Sequence, residues 1–249
     1  MTRRIALTLA VAFACLAVPA SAAPSAAVTA ALADANRPDA DKARDAARKP
    51  AELLALANVK PGAKVGDFIM GGGYLTRILA GAVGPTGKVY AYQPAEFIAF
   101  RAAYGEEQKA ASAPYKNVVP LNQSLTAVGF PEPLDAIITV QNYHDMHLKA
   151  FPAGAADAIN KKLFDALKPG GTFLVVDHSA ADGSGFRDSD TLHRADKAAV
   201  RAEIEKAGFR FEREADLYRA PADDRTVNVF RPEIRGKTDQ FTLVFRKPS

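Results

Sequence analysis

From Lys64 onward the chain alternates short apolar runs with helical stretches, and this alternation constrains the fold more than any other feature. Lys64–Met70 reads as a first strand, Leu75–Val83 as a helix, Lys88–Tyr92 as a second strand and Pro94–Tyr104 as a second helix. Asn117–Leu121 and Asp135–Val140 follow as strands, Ala153–Leu167 as a long helix, Thr172–Val176 as a fifth strand and Thr191–Ala207 as the last helix. Phe209–Leu217 and Asp239–Arg246 read as two final strands with no helix between them. Apolar, β-branched strands alternating with helices predict an α/β fold: a doubly wound, mostly parallel sheet with helices on both faces. The helix-free final pair predicts an antiparallel C-terminal strand.

The N-terminus follows a different pattern. Thr2-Arg3-Arg4 is basic, Ile5–Val18 is apolar or small except for Thr8, Pro19 breaks the run, and Ala20-Ser21-Ala22 supplies the small residues of a cleavage site. That order reads as a secretory signal peptide over residues 1–22, and its apolar run is shorter than the ~20 residues of a membrane span. A periplasmic or secreted protein without a membrane span is therefore expected. The one cysteine, Cys15, falls inside this segment, so cleavage near Ala22 leaves no thiol chemistry. Residues 23–49 read as a partly helical leader, mobile over the Ala-, Ser- and Asp-rich stretch 23–40, helical over 39–49 and either docked or free, and residues 50–249 as the folded domain. The formal charge of +4 includes Arg3 and Arg4, without which it is +2, and the remaining basic residues are interspersed with acids. No nucleic-acid partner is expected from such a surface.

Asp67-Phe68-Ile69-Met70-Gly71-Gly72-Gly73-Tyr74-Leu75 closes the first strand and opens the first helix of the alternating region. Glycines there let the backbone approach a ligand, and the helix N-terminus presents free N–H groups to it. The later elements Leu134-Asp135-Ala136-Ile137-Ile138 and Leu167-Lys168-Pro169-Gly170-Gly171-Thr172 fall in the expected order. Together these segments resemble the class I S-adenosylmethionine (SAM)-dependent methyltransferases over about residues 50–247. More narrowly, Asn142-Tyr143-His144-Asp145, Asp177-His178 and Arg235–Asp239 resemble a bacterial group of methyltransferases that carry signal peptides.

The resemblance implies a Rossmann-like fold, SAM as cofactor and a small-molecule acceptor. It implies that Gly71, Gly72 and Gly73 pass under the methionine part of SAM, with Asp67 orienting the turn or meeting the amino group. Gln93 would meet the ribose, Asn122 would lie near the adenine, and Gln141 and Asn142 would face the sulfonium. The sequence departs from the family pattern twice. Ile69 stands where the first glycine is usual, and Gln93 stands where an acid usually holds the ribose hydroxyls.

All four histidines lie between residues 144 and 193. In a parallel sheet the loops after the strand C-termini share one edge, so His144, Asp145, Asp177 and His178 are expected to meet near the Gly71 turn. His144 or His178 would serve as a general base, with Asp145 orienting a ring. His147 and His193 read singly as residues that tie loops together. His144-x-x-His147 with Asp177, His178 or His193 also supplies enough ligands for a divalent ion, but that spacing is common by chance and no metal site is assigned from it. Two other classes stay open: a ligand-binding relative that transfers nothing, and a metal-dependent enzyme on the same scaffold. The charged stretch Asp223–Asp239 reads as a solvated loop, or as a lid with Arg225, Arg231 or Arg235 toward an anionic group.

Overall fold

A computed structural model describes residues 23–249; the expected signal peptide over residues 1–22 lies outside the described residues. Four short helices come first, α1 (Ala26–Leu32), α2 (Asp39–Lys42), α3 (Asp45–Arg48) and α4 (Pro50–Leu56). They are followed by β1 (Lys64–Phe68), α5 (Tyr74–Val83), β2 (Lys88–Tyr92), α6 (Ala95–Phe100), α7 (Ala103–Ser112), β3 (Val118–Leu121) and β4 (Leu134–Val140). The chain then forms α8 (Ala155–Ala166), β5 (Leu167–His178), α9 (Ser189–Leu192), α10 (Lys197–Lys206), β6 (Arg210–Ala215) and β7 (Gln240–Arg246).

The strands form one seven-stranded sheet in the order β3-β2-β1-β4-β5-β7-β6. β1 to β5 pair in parallel, while β7 runs antiparallel between β5 and β6. The expected Rossmann-like sheet with an antiparallel C-terminal strand is therefore present. Its period-2 patterning shows in the core: Ala136, Ile138, Leu174, Val176 and Val244 face one layer, and Ile137, Phe173, Val175, Leu243 and Phe245 face the other. Ile78 and Leu79 of α5 fill the first layer with Leu53 and Leu54 of α4. Ile159 and Leu163 of α8 and Val200 and Ile204 of α10 fill the second. Each fully buried aliphatic side chain contributes about 1.5–3 kcal/mol.

Four local readings change. The second helix ends at Phe100, because Arg101 is extended (φ −142°, ψ 98°), and a further helix, α7, follows it. Ala103–Ser112 has few large apolar residues to mark it as amphipathic; Gln108 anchors it to the sheet instead, donating to the Ala91 and Leu121 carbonyls. The Lys168-Pro169-Gly170-Gly171 turn does not precede β5 but lies within it, as an irregularity in the pairing with β4 between Leu134 and Ala136. The last helix is broken: α9 stops at Leu192, His193 is left-handed (φ 55°), and α10 restarts after Asp196, whose side chain accepts from the Ala198 N–H.

Residues 23–49 are not a free leader, because they dock on the domain. α1 packs so closely on α5 that a Cβ at Gly81 would lie 2.7 Å from the Ala31 Cβ. Arg37 is fully buried and forms two hydrogen bonds to the Asp45 carboxylate, at 2.9 and 2.5 Å. Asp41 accepts from Arg77 of α5 at 2.8 Å, and Asp45 accepts from the Tyr74 hydroxyl at 2.7 Å. The two leader carboxylates thus find partners both within the leader and on the domain.

Candidate active site

The loops leaving the C-terminal ends of β1, β2, β4 and β5 enclose a cavity of about 630 Å³, the size of a site for one or two small molecules. On one side lie Gly71 and Gly72, with Arg44 and Arg48 from the docked leader. His144, Asp145, His178 and His193 lie in the wall after β4 and β5. Phe97, Phe100, Leu148, Phe151 and Phe230 make the remaining wall apolar, and Phe100 (88% exposed) and Phe230 (56%) are the large exposed hydrophobics among the described residues.

The glycine turn is built by its neighbours. Asp67 is buried and accepts from the Thr76 hydroxyl at 2.5 Å, fixing the first turn of α5. Burial raises its pKa to about 6 even though the Thr76 hydrogen bonds oppose this. Gly71 has a left-handed backbone (φ 54°), and a Cβ there would meet nothing within 4 Å. Gly73 faces the opposite way, against Ala111 of α7, and is outside the cavity wall. Ile69 is left-handed as well (φ 62°), a conformation costly for a β-branched residue. It occupies the position where the resemblance expects glycine. Its carbonyl is held by Asn142, which donates to Ile69 O at 2.9 Å and to Val140 O at 2.8 Å, tying the ends of β1 and β4 together. Gln141 is also left-handed (φ 65°), and its side chain donates to Gln240 at 3.1 Å. Strain of this kind persists where the surroundings over-determine it, as at ligand sites.

Gln93 is fully buried, and its Oε1 accepts from the Gly71 N–H at 3.0 Å. That bond fixes the amide orientation and leaves Nε2 as a buried donor with no partner. Asn122 does not join the site. It donates to Gln108 Oε1 at 2.6 Å and to the Gln93 carbonyl, and borders a separate depression lined by α6, α7 and β3.

The histidines divide. His144 Nδ1 lies 2.9 Å from Asp177 Oδ1, and Asp177 also accepts from the backbone N–H of His144 at 2.7 Å. Burial opposes a charge on His144, but attraction to Asp177 and hydrogen bonds to Asp145 and Asp177 outweigh it and raise the pKa to about 10. A ring held toward its charged form is poorly suited to accept a proton, so the geometry favours His144 as a positive charge beside Asp145. His178 moves the other way, to about 4, because burial dominates and the His144 charge adds to it. Its Nδ1 is in hydrogen-bond contact with Thr238 Oγ1 at 2.8 Å. His147 turns away, 3.1 Å from Glu203 and stacked on Phe186. His193, read from sequence as a loop residue, instead brings Nδ1 to 3.3 Å from His144 Nε2. No periodicity in the sequence marks it, because only the left-handed backbone at His193 breaks the helix there.

The charged C-terminal stretch is neither a free loop nor an arginine lid. Arg225 pairs inward with the buried Asp239 and at the surface with Asp182, and Asp223 holds the buried Arg194. Val229 and Phe230 are the residues that reach the cavity.

This sheet order and this cleft define a Rossmann-like fold of the methyltransferase type. Solved structures show the likeness. A SAM-dependent methyltransferase from Aquifex aeolicus aligns with a TM-score of 0.56 at 19% identity, over 84% of this chain and 95% of its own. The N-methyltransferase NodS from Bradyrhizobium japonicum aligns with a TM-score of 0.56 at 12% identity, over 81% of this chain and 96% of its own. The [4+2]-cyclase SpnF aligns with a TM-score of 0.57 at 15% identity, over 82% of each chain. No family model and no curated relative matches the chain. At such identities the likeness is one of fold, and the chemistry has to be argued from the site.

Proposed function

We propose that the protein is a SAM-dependent methyltransferase for a small molecule with an apolar body, acting in the periplasm or outside the cell after removal of residues 1–22. The observation that carries this reading is the buried, unpartnered Nε2 of Gln93, held beside the open Gly71 backbone at the edge of the cavity. A buried donor without a partner costs about 1–3 kcal/mol, and a ribose hydroxyl accepting from it would remove that cost. The residues fit SAM in other respects. Gly71 and Gly72 leave room for its methionine part, and Arg48, a largely desolvated guanidinium in the same wall, suits a carboxylate. The phenylalanine side of the cavity suits an apolar acceptor. Export rests on the basic, apolar and small-residue order of residues 2–22.

When bound, SAM supplies a methyl group on a positively charged sulfur, open to displacement by a nucleophile. Asp145 would take the acceptor's proton, because the His144 ring at its side is already protonated at neutral pH. The His144 cation would hold negative charge on the acceptor oxygen. Phe97, Phe151 and Leu148 would exclude water around the reacting atoms.

Thermal unfolding of the chain from Ala23, with and without SAM, tests the reading. SAM at 100 times its dissociation constant should add about 2.7 kcal/mol, raising the midpoint by about 5–10 °C. Gly71→Ala puts a methyl into the space beside the cavity and should abolish this shift while costing only about 1–2 kcal/mol of backbone strain. No shift at millimolar SAM would refute the cofactor assignment. A shift without methyl transfer to any acceptor would reduce the protein to a ligand-binding relative.

A further inference from the structure

We propose that His144 Nε2, His193 Nδ1 and a carboxylate oxygen of Asp145 form a binding site for a divalent first-row transition ion in the cavity wall. The inference goes beyond the methyl-transfer reading and does not depend on SAM; with the ion bound, His144 is neutral and Asp145 is a ligand, so the ion takes the place of the His144 cation as the positive charge facing the acceptor oxygen. The three ligand atoms lie within 4.8 Å of one another. His144 Nε2 is 3.3 Å from Asp145 Oδ1 and 3.3 Å from His193 Nδ1. As hydrogen bonds both contacts are long. As edges of a tetrahedron they fit, since metal–ligand bonds of about 2.0–2.1 Å place neighbouring ligand atoms about 3.3 Å apart.

The surroundings are those of a metal-binding histidine. The far nitrogen of His144 is engaged by the buried carboxylate of Asp177 at 2.9 Å, which fixes the ring and aims Nε2 into the cavity. A carboxylate behind a ligating histidine is the usual supporting partner. His193 holds a left-handed backbone (φ 55°) that a histidine adopts only at some cost, and that geometry turns Nδ1 toward His144. The segment is locked around it. Arg194 is buried on Asp223, and the Ala195 N–H donates to the His178 carbonyl at 3.0 Å. His178 and His147 place no nitrogen in the cluster of His144, Asp145 and His193, and His147 Nε2 is held by Glu203. Two imidazoles and one carboxylate favour a zinc-like ion over magnesium, and three protein ligands leave a coordination position open to the cavity for water or a substrate oxygen.

The test titrates chelator-stripped protein with Zn2+ and with Mg2+, in the absence of SAM, by calorimetry and elemental analysis. One Zn2+ per chain is expected, with Mg2+ far weaker, and Co2+ in its place should give visible absorption. His193→Asn, whose side chain tolerates the left-handed backbone, and Asp145→Asn should each weaken Zn2+ binding at least tenfold; His193→Asn should keep the metal-free unfolding midpoint, whereas Asp145→Asn should lower it through loss of the His144–Asp145 pair. Asp177→Asn should weaken it about 10- to 100-fold through loss of the supporting carboxylate. His147→Gln should bind as the wild type does. Folded wild-type protein without stoichiometric Zn2+, unchanged affinity in both His193→Asn and Asp145→Asn, or Mg2+ binding as tight as Zn2+ would each overturn the site.

Discussion

Asp177→Asn is expected to lower stability by about 3–5 kcal/mol, the usual cost of removing one partner from a buried ion pair. Asp177 is completely buried and satisfies three donors, the backbone N–H and ring nitrogen of His144 and its neighbour's N–H at His178. Asn keeps the volume but loses the charge, leaving the buried His144 ring with Asp145, at 3.3 Å, as its remaining counter-ion. For a protein of this size the unfolding midpoint should fall by roughly 10 °C. The effect also has a pH signature when a chelator is present, so that only a proton occupies the cluster. His144 has a folded pKa of about 10 against an ordinary 6.5, so its stabilisation is complete below pH 6.5 and is lost as pH rises through about 10. The wild-type midpoint should therefore decline between these values, and Asp177→Asn should flatten that decline. The acid limb works the other way. His178, held near 4, favours its neutral form, and that contribution disappears as pH falls from 6.5 through about 4. An unfolding series across pH 4–10 on both proteins checks the two limbs, and an equal alkaline slope in wild type and variant would show that the pair is not the cause.

Gly73→Ala is expected to cost about 2–4 kcal/mol, with little direct effect on the cavity. The backbone at Gly73 is left-handed (φ 79°), which costs a residue with a side chain about 1–2 kcal/mol. The added Cβ would also sit 2.3 Å from the Ala111 Cβ, so α5 and α7 must move apart, at about 1–3 kcal/mol for an overpacked contact. Ala111 is in the fully buried core, which leaves no slack. Denaturant unfolding measures the loss. Gly73→Ala combined with Ala111→Gly relieves the clash but keeps the strain and adds about 1 kcal/mol for a glycine inside α7, so the double variant should lose less than the two single losses summed. A loss as small as that of Gly71→Ala would mean that α7 yields easily. The contrast divides the glycine run: Gly71 and Gly72 border the cavity, whereas Gly73 lets two helices approach.

Much of the candidate site was legible because strand ends carry it. Gln93, Gln141, Asn142 and His144 come just after strands whose apolar runs can be counted, His178 ends one, and in a parallel sheet those ends converge. Asn122 was misplaced because a position near a strand end does not say which side of the strand a short loop takes, and Gln108 draws it away. The acid–base roles were not legible either. The pKa of His144 depends on a carboxylate 33 residues away, and only the packed site brings the two together.

By itself the sequence determined the strand count, the alternation with helices and the two-sided sheet, since periods of 2 and 3.6 residues record locally which face each element buries. It also determined the glycine turn, because no other residue suits both the left-handed backbone and the close contact at Gly73. Only the tertiary structure decided that His193 meets His144 across 49 residues, that Arg44 and Arg48 of the docked leader border the cavity, and that Phe230 covers its edge. These residues lie on loops and short irregular helices, where no periodicity marks orientation. Their positions are set by long-range pairs such as Arg194 with Asp223 and Arg77 with Asp41, whose partners are not adjacent in the chain.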